Sequence, residues 1–362
     1  MATSNNRKKI CMIVQERTVK GGIAAVIENY YGSRLEDDFD ITYVESYCDG
    51  SKWKKLSKAL GAYREFRCVL RTNRPDAVHV HSSFGPSFFR KMPIIIMAHN
   101  RKIPIINHIH GSALDELYTN AGSFKKCLVR KIYGYCTKIV VLSEEWKEKL
   151  SVIVPAERIT VVSNYCKIYP EMAADTSLSE RFNKRQILYL GRFDNLKGVV
   201  DIPAIADIVK KKFDDVRFVL GGTGETEPVI AEIERLGLQD TVILPGWITG
   251  DEKEKLLRES AIFLLPSHME AMPMSILEAM GYALPIVSTE VGGIPQVVAK
   301  DVNGKLYAPQ DASGMAQGIM DYLSSYEAYV FAAKKSLEIA TEKYSFDAHI
   351  DKLEKIYDEV TG

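Results

Sequence analysis

The feature that most constrains this chain of 362 residues is a regular alternation of short apolar runs and longer amphipathic segments. Lys9–Gln15, Ala77–His81 and Ile103–His110 are runs typical of buried strands, and each is followed by a segment with helical periodicity. Such alternation predicts parallel sheets with helices on both faces. We therefore expect an α/β protein built from doubly wound, Rossmann-like units.

The alternation stops near the middle of the chain and then begins again. Residues 167–185 are polar and only weakly periodic, which is typical of an interdomain linker. We expect a first domain over residues 1–166 and a second over 186–343. Two doubly wound domains in tandem would bind ligands at the carboxyl ends of their strands, facing a shared cleft.

Charge and cysteine content narrow the function classes further. The net charge is zero, yet residues 1–165 hold 26 Lys and Arg against 16 Asp and Glu, so a basic half precedes an acidic one. The six cysteines form no C-x-x-C pair and are expected as buried thiols in a reducing compartment. The apolar runs at residues 10–14 and 92–98 are too short for a signal peptide or a membrane span. We expect a cytoplasmic protein.

Two segments of the second half carry residues suited to an anionic, hydroxyl-rich ligand. Glu270 and Glu278 lie eight residues apart where a loop enters a helix, and helix N-termini attract phosphates while carboxylates accept from sugar hydroxyls. Arg192 and Lys197 follow a strand in the segment 190–198 and could converge on a diphosphate. The alternatives are two solvated glutamates on a core helix and two ordinary surface cations.

These segments resemble the E-x7-E and G-R-x-x-x-x-K-G signatures of the retaining glycosyltransferases of family four, which have the GT-B fold. The resemblance is strongest over residues 186–300. It implies that Glu270 holds donor-sugar hydroxyls, that Glu278 holds the ribose, and that Arg192 and Lys197 neutralise the departing diphosphate. It also implies that the last helix, about 344–362, crosses back to the first domain. The remaining donor-site residues implied are Gly191, Met272, Met274 and Ser275.

Weaker signals surround these. Gly21 and Gly22 follow the first strand, and Gly222 lies in a second glycine-rich segment; either is a phosphate-approaching loop or a plain turn. Trp247 and Ile248 resemble the segment whose backbone reads the base, although Trp247 would also suit a core. UDP is favoured over GDP or ADP only by its frequency in the family.

Histidines cluster in the first half. His79 and His81 alternate on one strand, as do His108 and His110 on another, so one of each pair is expected to face the core and one the cleft. A zinc site is conceivable, but no cysteine has suitable spacing. The resemblance places His110 close to the donor sugar. Many relatives have an aspartate next, where this chain has Gly111, and Asp115 or Glu116 could substitute for it.

The chain has no D-x-D stretch in a suitable place, so we expect metal-independent chemistry without a cofactor. The resemblance implies a nucleotide-diphosphate sugar as donor, with a UDP-sugar favoured by family frequency.

The acceptor would be a saccharide or a lipid-linked saccharide. Eight Lys and Arg and one acid occupy residues 52–74, with apolar residues at helical spacing. This segment is either a peripheral contact with an anionic membrane or a solvated helix on the core, and no nucleic-acid motif appears. The leading interpretation is a transferase of bacterial surface-polysaccharide synthesis. A nucleotide-sugar 2-epimerase and a non-catalytic binding subunit of the same fold are the alternatives.

Overall fold

The structure, a computed structural model, describes residues 7–19, 21–111 and 114–362, with Asp115 and Glu116 described by their backbone alone. The chain divides into two compact units. Unit 1 comprises Met1–Asn164 and His349–Gly362, and unit 2 comprises Tyr165–Ala348. Each unit contains a six-stranded sheet whose described strand pairs are all parallel, which confirms the α/β, doubly wound expectation.

Unit 1 orders its strands β2-β1-β3-β4-β5-β6. The strands are β1 (Lys9–Val14), β2 (Asp40–Glu45), β3 (Ala77–Ser82), β4 (Ile105–Ile109), β5 (Lys138–Val141) and β6 (Ile159–Val161). The helices are α1 (Gly22–Glu28), α2 (Arg34–Asp38), α3 (Lys52–Thr72), α4 (Pro86–His99), α5 (Ser123–Gly134) and α6 (Glu144–Ser151). β3, β4 and β5 are buried at every position, and β1 at every position after its first, as is typical of a parallel sheet with helices on both faces.

Unit 2 orders its strands β12-β11-β10-β7-β8-β9. The strands are β7 (Gln186–Phe193), β8 (Arg217–Gly224), β9 (Val242–Gly246), β10 (Ile262–Leu265), β11 (Ile286–Thr289) and β12 (Gly304–Tyr307). The helices are α7 (Asp175–Lys184), α8 (Ile202–Lys210), α9 (Glu227–Leu236), α10 (Gly250–Glu259), α11 (Met274–Gly281), α12 (Ile294–Val297), α13 (Ala312–Ser324), α14 (Tyr326–Tyr344) and α15 (Phe346–Thr361). From His349 onward, α15 belongs to unit 1.

Each sheet has one point at which the strand order reverses. The chain adds β2 on one side of β1 and then β3 on the other, and it adds β8 and β9 on one side of β7 and then β10 on the other. Ligands of such sheets bind outside the carboxyl ends of the strands at this reversal. The fold therefore predicts a ligand site after β1 and β3 in unit 1, and after β7 and β10 in unit 2.

The segment 167–185, expected as a linker, is instead part of unit 2. It forms α7, and Arg181 of that helix is buried and donates to the carbonyl oxygens of Met172 and Tyr282 at 2.6 and 2.9 Å. Its polar composition hid this role, because the buried group is a cation satisfied by backbone carbonyls.

The expectation of buried cysteines is met only in part. All six cysteines are free; four are buried as expected, but Cys68 and Cys127 are exposed. Both lie on helices, α3 and α5, whose other faces pack on the core.

None of the helices in the described part of the chain is long and apolar enough to cross a membrane.

Candidate functional site

The residues expected to handle a diphosphate follow β7 in unit 2. Arg192 is the last residue but one of β7, and Lys197 ends a short 3-10 turn at Asn195–Lys197. The Arg192 side chain is 71% exposed, and its Nε lies 3.5 Å from Asp194 Oδ2. Asp194 also caps the turn, since its carboxylate accepts from the Lys197 backbone N–H at 3.0 Å. The capped turn thus fixes the position of Lys197 just beyond the end of β7.

Lys197 and Glu270 form the central contact of the site. Lys197 Nζ lies 2.5 Å from Glu270 Oε1, and Ser267 Oγ donates to the same oxygen at 2.8 Å. Glu270 is only 7% exposed, so its carboxylate needs this pairing to be tolerated. The two side chains come from loops after β7 and β10, which are neighbours at the reversal of strand order. The structure therefore brings together a cation and a carboxylate that the sequence places 73 residues apart.

Glu278 is the fifth residue of α11 and has a different partner. Its Oε1 lies 2.8 Å from Nζ of Lys253, on α10, and the Glu278 side chain is 23% exposed. The helix begins at Met274, so Pro273 is its N-cap rather than part of its first turn. Met274 and Ser275 supply first-turn N–H groups, which have no partner within an α-helix and point along its positive end, and Met272 is buried beside them.

Glycines let the strands of this site approach one another closely. Gly191 of β7 is in register with Gly222 of β8, and a Cβ on Gly222 would lie 1.9 Å from the Gly191 carbonyl oxygen. A side chain is therefore excluded at Gly222. Beyond β9, Ile248 is buried whereas Trp247 is 41% exposed, so Trp247 is not a core residue.

Three further glycines shape the site: Gly198, which ends the G-R-x-x-x-x-K-G segment, and Gly292 and Gly293, which carry no expectation from the sequence. A Cβ on Gly198 would lie 1.9 Å from the Pro266 carbonyl oxygen, and Cβ atoms on Gly292 and Gly293 would lie 1.7 and 2.0 Å from the carbonyl oxygens of Glu270 and Ala271. Because these glycines have no side chains, the backbone of the loop that carries Glu270 can pack directly against the segments that hold them. The signal in the sequence is the Gly292-Gly293 pair itself, which follows a strand and precedes a helix.

Gly292→Ala is expected to lower transferase activity about a hundredfold, because the added Cβ would displace the backbone of Glu270. Gly292 has a φ of +53°, so part of any loss could come from backbone strain. Gly237→Ala is the matched control, since Gly237 has a φ of +65° and nothing within 4 Å of its Cβ position. Steady-state kinetics and thermal unfolding of both variants separate the two causes. Equal activity in the two variants would show that the contact with Glu270 is unimportant.

His268 lies on the same loop as Glu270, between β10 and α11. His268 Nε2 is 2.9 Å from Asp201 Oδ2, just before α8, and the His268 backbone N–H donates to the Leu196 carbonyl at 2.8 Å. The side-chain contact ties the loop after β10 to the start of α8, and the backbone bond ties it to the turn that carries Lys197. Lys253 and the His268–Asp201 pair were missed because charged residues on exposed helices and loops have no distinguishing pattern in sequence.

In unit 1 the two candidate glycines follow β1, at the reversal of strand order, whereas His110 follows β4, the strand next to β3. Gly21 precedes α1 with a positive φ of 155° and open space around its Cβ position, and Gly22 begins the helix; both are exposed. His110 follows β4 and is partly exposed, with its Nε2 2.9 Å from His81 Nδ1. A Cβ on Gly111 would lie 2.2 Å from Ser83 Oγ, so a larger residue there would require the Ser83 side chain to move.

The expectation that one histidine of each pair faces the core and one the cleft is wrong for His79 and His81, whereas in the other pair His108 is buried and His110 is partly exposed. His79 and His81 project from the same face of β3, as residues two apart in a strand must, and both are buried together with His108. Burial lowers the pKa of His110, with a smaller contribution from His349. The side chains of Asp115 and Glu116, named as substitutes for the missing acid, lie outside the described residues.

Comparison with known proteins supports glycosyltransferase family models over most of the chain. Residues 28–166 match the model "Glycosyltransferase Family 4", and residues 173–337 match "Glycosyl transferases group 1". The amylovoran biosynthesis glycosyltransferase AmsK of Erwinia amylovora is 32% identical over 76% of this chain and 67% of its own length.

Solved structures give the same architecture. Sucrose-phosphate synthase from Thermosynechococcus elongatus superposes with a TM-score of 0.80 at 15% identity, over 98% of this chain and 99% of that one. HepE of Anabaena, solved in complex with UDP and glucose, has a TM-score of 0.70 at 15% identity, over 97% and 100%. The two Rossmann-like units thus have the GT-B fold, and the chain belongs to the group 1, or family 4, glycosyltransferases.

Proposed function

We propose that this glycosyltransferase transfers a sugar from a UDP-sugar to a saccharide acceptor carried on a lipid, with retention of anomeric configuration and without a metal at the diphosphate. The product would be a bacterial surface polysaccharide, made at the cytoplasmic face of the membrane. The observation that carries the proposal is the Lys197–Glu270 pair at 2.5 Å, placed at the reversal of strand order in unit 2.

The donor class is supported by the chemistry of that pair and by the relatives. An ammonium group and an adjacent exposed guanidinium, Arg192, suit a diphosphate, while a buried carboxylate suits sugar hydroxyls. HepE was solved with UDP and glucose, and AmsK is named for polysaccharide biosynthesis. Trp247, exposed after β9, and Glu278 on α11 would bind the base and ribose.

The proposed mechanism assigns each charge a task. As the bond between the anomeric carbon and the phosphate oxygen breaks, negative charge builds on the β-phosphate. Lys197, Arg192 and the first-turn N–H groups of α11 would stabilise that charge without reorganising. The acceptor oxygen would form its bond to the anomeric carbon on the face that the phosphate leaves, which gives retention, and its proton would pass to the departing phosphate oxygen. Glu270 would hold the sugar, and His110 is retained as a proposed catalytic residue on the family resemblance.

Turnover is expected to be unchanged after treatment with EDTA, because protein cations and a helix terminus replace the metal that many transferases use. The measurement is product formation from a UDP-sugar with and without EDTA, with the anomeric configuration of the product read by NMR. Donor consumed without acceptor would favour the epimerase instead. Abolition of turnover by EDTA, with the protein still folded, would contradict metal independence, and an inverted product would contradict retention.

The acceptor side of the proposal depends on three neighbouring helices of unit 1. α3 packs on α4 and α4 on α5, and each exposes large apolar side chains. Trp53, Leu56 and Leu60 of α3 are 81, 50 and 52% exposed, and Phe124 of α5 is 85% exposed. The sequence pattern had allowed these residues of α3 to be core, but the buried face is formed by Ala59, Ala62, Phe66 and Leu70.

Basic residues lie on the same helices as these exposed apolar side chains. Lys52 and Lys54 of α3 are exposed, and α5 adds Lys125, whose Nζ lies 5.9 Å from the ring centre of Phe89. Lys58 is not part of the surface, because it is paired with Glu45 at 2.6 Å and with Glu16. An anionic bilayer complements such a surface, each cation near it contributing about 1 kcal/mol.

The triple variant Trp53→Ser, Leu56→Ser, Leu60→Ser is expected to lose most of its binding to anionic liposomes, since it removes apolar area that would enter the interface. Co-sedimentation at low salt measures the bound fraction. Phe331→Ser is the matched control, because Phe331 on α14 of unit 2 is 51% exposed and lies outside the surface. Wild-type protein that fails to sediment with anionic liposomes would remove the membrane proposal and leave the donor site untouched.

A further inference from the structure

The buried face of the unit 1 sheet holds a cluster of imidazoles that the proposed transfer does not use. His79 and His81 project from β3, and His108 of β4 is in register with His81. One ring nitrogen from each lies within 4.8 Å of the other two. Among the described residues, this is the one group of three His, Cys, Asp or Glu side chains with metal-binding proximity.

Four nitrogens of this cluster have no hydrogen-bond partner. They are Nε2 of His79, Nε2 of His81 and both ring nitrogens of His108, and all are inaccessible to solvent. A buried polar atom without a partner costs free energy, and native structures rarely retain several in one place. The cluster therefore has unmet bonding capacity.

His79 and His81 each have a hydrogen-bond partner at Nδ1, which fixes the orientation of the ring and of its unpaired Nε2. His79 Nδ1 is 2.6 Å from the hydroxyl of Tyr357 on α15, and His81 Nδ1 is 2.9 Å from Nε2 of His110. Histidines that bind metals usually bond through their second nitrogen in this way, which fixes the ring and leaves the other nitrogen for the ion.

We propose that His79, His81 and His108 form a binding site for one divalent transition-metal ion, with Zn²⁺ as the favoured occupant. Three imidazoles and no described carboxylate or thiolate suit zinc, cobalt or nickel rather than calcium or magnesium. Tetrahedral coordination at about 2.0–2.1 Å requires the rings to close in slightly on the ion and leaves one position for water. The ion would join β3 to β4 and, through Tyr357, to α15.

The test uses full-length protein produced without a histidine tag, stripped with EDTA and titrated with Co²⁺ and then Zn²⁺. We expect one Co²⁺ per chain with the visible absorption of a tetrahedral nitrogen site, displacement by Zn²⁺, and a raised unfolding temperature. His108→Phe keeps a ring in the core but removes both ligand atoms, and it should bind at least a hundredfold more weakly. His99→Phe, at an exposed histidine outside the cluster, is the control and should bind like wild type.

Folded wild-type protein that takes up no ion, or His108→Phe that binds as tightly as wild type, would overturn the site. Should His108→Phe not fold, zinc-edge X-ray absorption of the wild-type complex decides the question. Three imidazoles around the ion would support the site, and fewer than three would overturn it. None of these readouts depends on transferase activity, so the outcome is independent of the donor-site proposal.

Discussion

Lys197→Ala is expected to lower kcat/KM for the nucleotide-sugar donor by about a thousandfold, or about 4 kcal/mol of transition-state stabilisation. Lys197 Nζ lies 2.5 Å from Glu270 Oε1, at the reversal of strand order where a diphosphate would lie. Charge develops on that diphosphate as its bond to the sugar breaks, and a fixed ammonium group is worth more there than in water. The measurement is steady-state turnover with saturating acceptor.

Two controls make this prediction specific. Lys212→Ala removes an exposed lysine of unit 2 that bonds only Ser324, and it should leave turnover unchanged. Lys197→Arg keeps the charge and should recover part of the activity, although a planar guanidinium does not replace a compact ammonium. Thermal unfolding checks that Lys197→Ala is folded, since it leaves the Glu270 carboxylate with Ser267 alone. A folded Lys197→Ala variant with wild-type kcat/KM would remove Lys197 from the mechanism.

Glu270→Ala is expected to lower kcat about a hundredfold while changing the affinity for the free nucleotide only a few-fold. The buried carboxylate would hold hydroxyls of the donor sugar, which the nucleotide alone lacks. Removing it costs stabilisation of the reacting sugar and leaves the diphosphate contacts of Lys197 and Arg192 in place. Turnover and UDP affinity, measured on the same preparation, separate the two effects.

Glu232→Ala is the matched control, because Glu232 on α9 is paired only with Arg235 in the same helix. It should behave as wild type in both assays. Intact turnover with the sugar donor in Glu270→Ala would show that Glu270 does not hold the sugar. Loss of nucleotide affinity equal to the loss of turnover would place Glu270 at the nucleotide instead.

The sequence predicted the fold well because its signals are local. Apolar runs such as Ile262–Leu265 are the buried strands of parallel sheets, and alternation with helices leaves few other architectures. It failed where burial is achieved by polar groups. Arg181 is buried through bonds to backbone carbonyls, so the segment that holds α7 was mistaken for a linker.

The candidate site was predictable in part for the same reason. Motif spacing indicated Arg192, Lys197, Glu270 and Glu278, but not that Glu278 pairs with Lys253 whereas Glu270 pairs with Lys197. Those partners depend on which loops the sheet order brings together. Gly292 and Gly293 are required because a Cβ at either position would lie within 2 Å of a backbone carbonyl oxygen. Such a close approach depends on the tertiary structure and leaves no periodic pattern in the sequence.

In unit 1 the error about the histidines has a clear physical cause. Alternation along a strand assigns residues two apart to the same face, so His79 and His81 had to be treated alike. With α15 and α1 packed over that face, through Tyr357 and Tyr30, both histidines are in the core. The same packing creates the imidazole cluster from which the metal site is inferred.

The central claim is a metal-independent diphosphate site built on Lys197. Calorimetric titration of the purified protein with UDP, GDP, ADP and CMP, without added metal, tests it most directly. We predict selective binding of one diphosphate, UDP, at micromolar affinity, with that binding lost in Lys197→Ala. Absence of binding by every nucleotide, or undiminished UDP binding in Lys197→Ala, would contradict the claim.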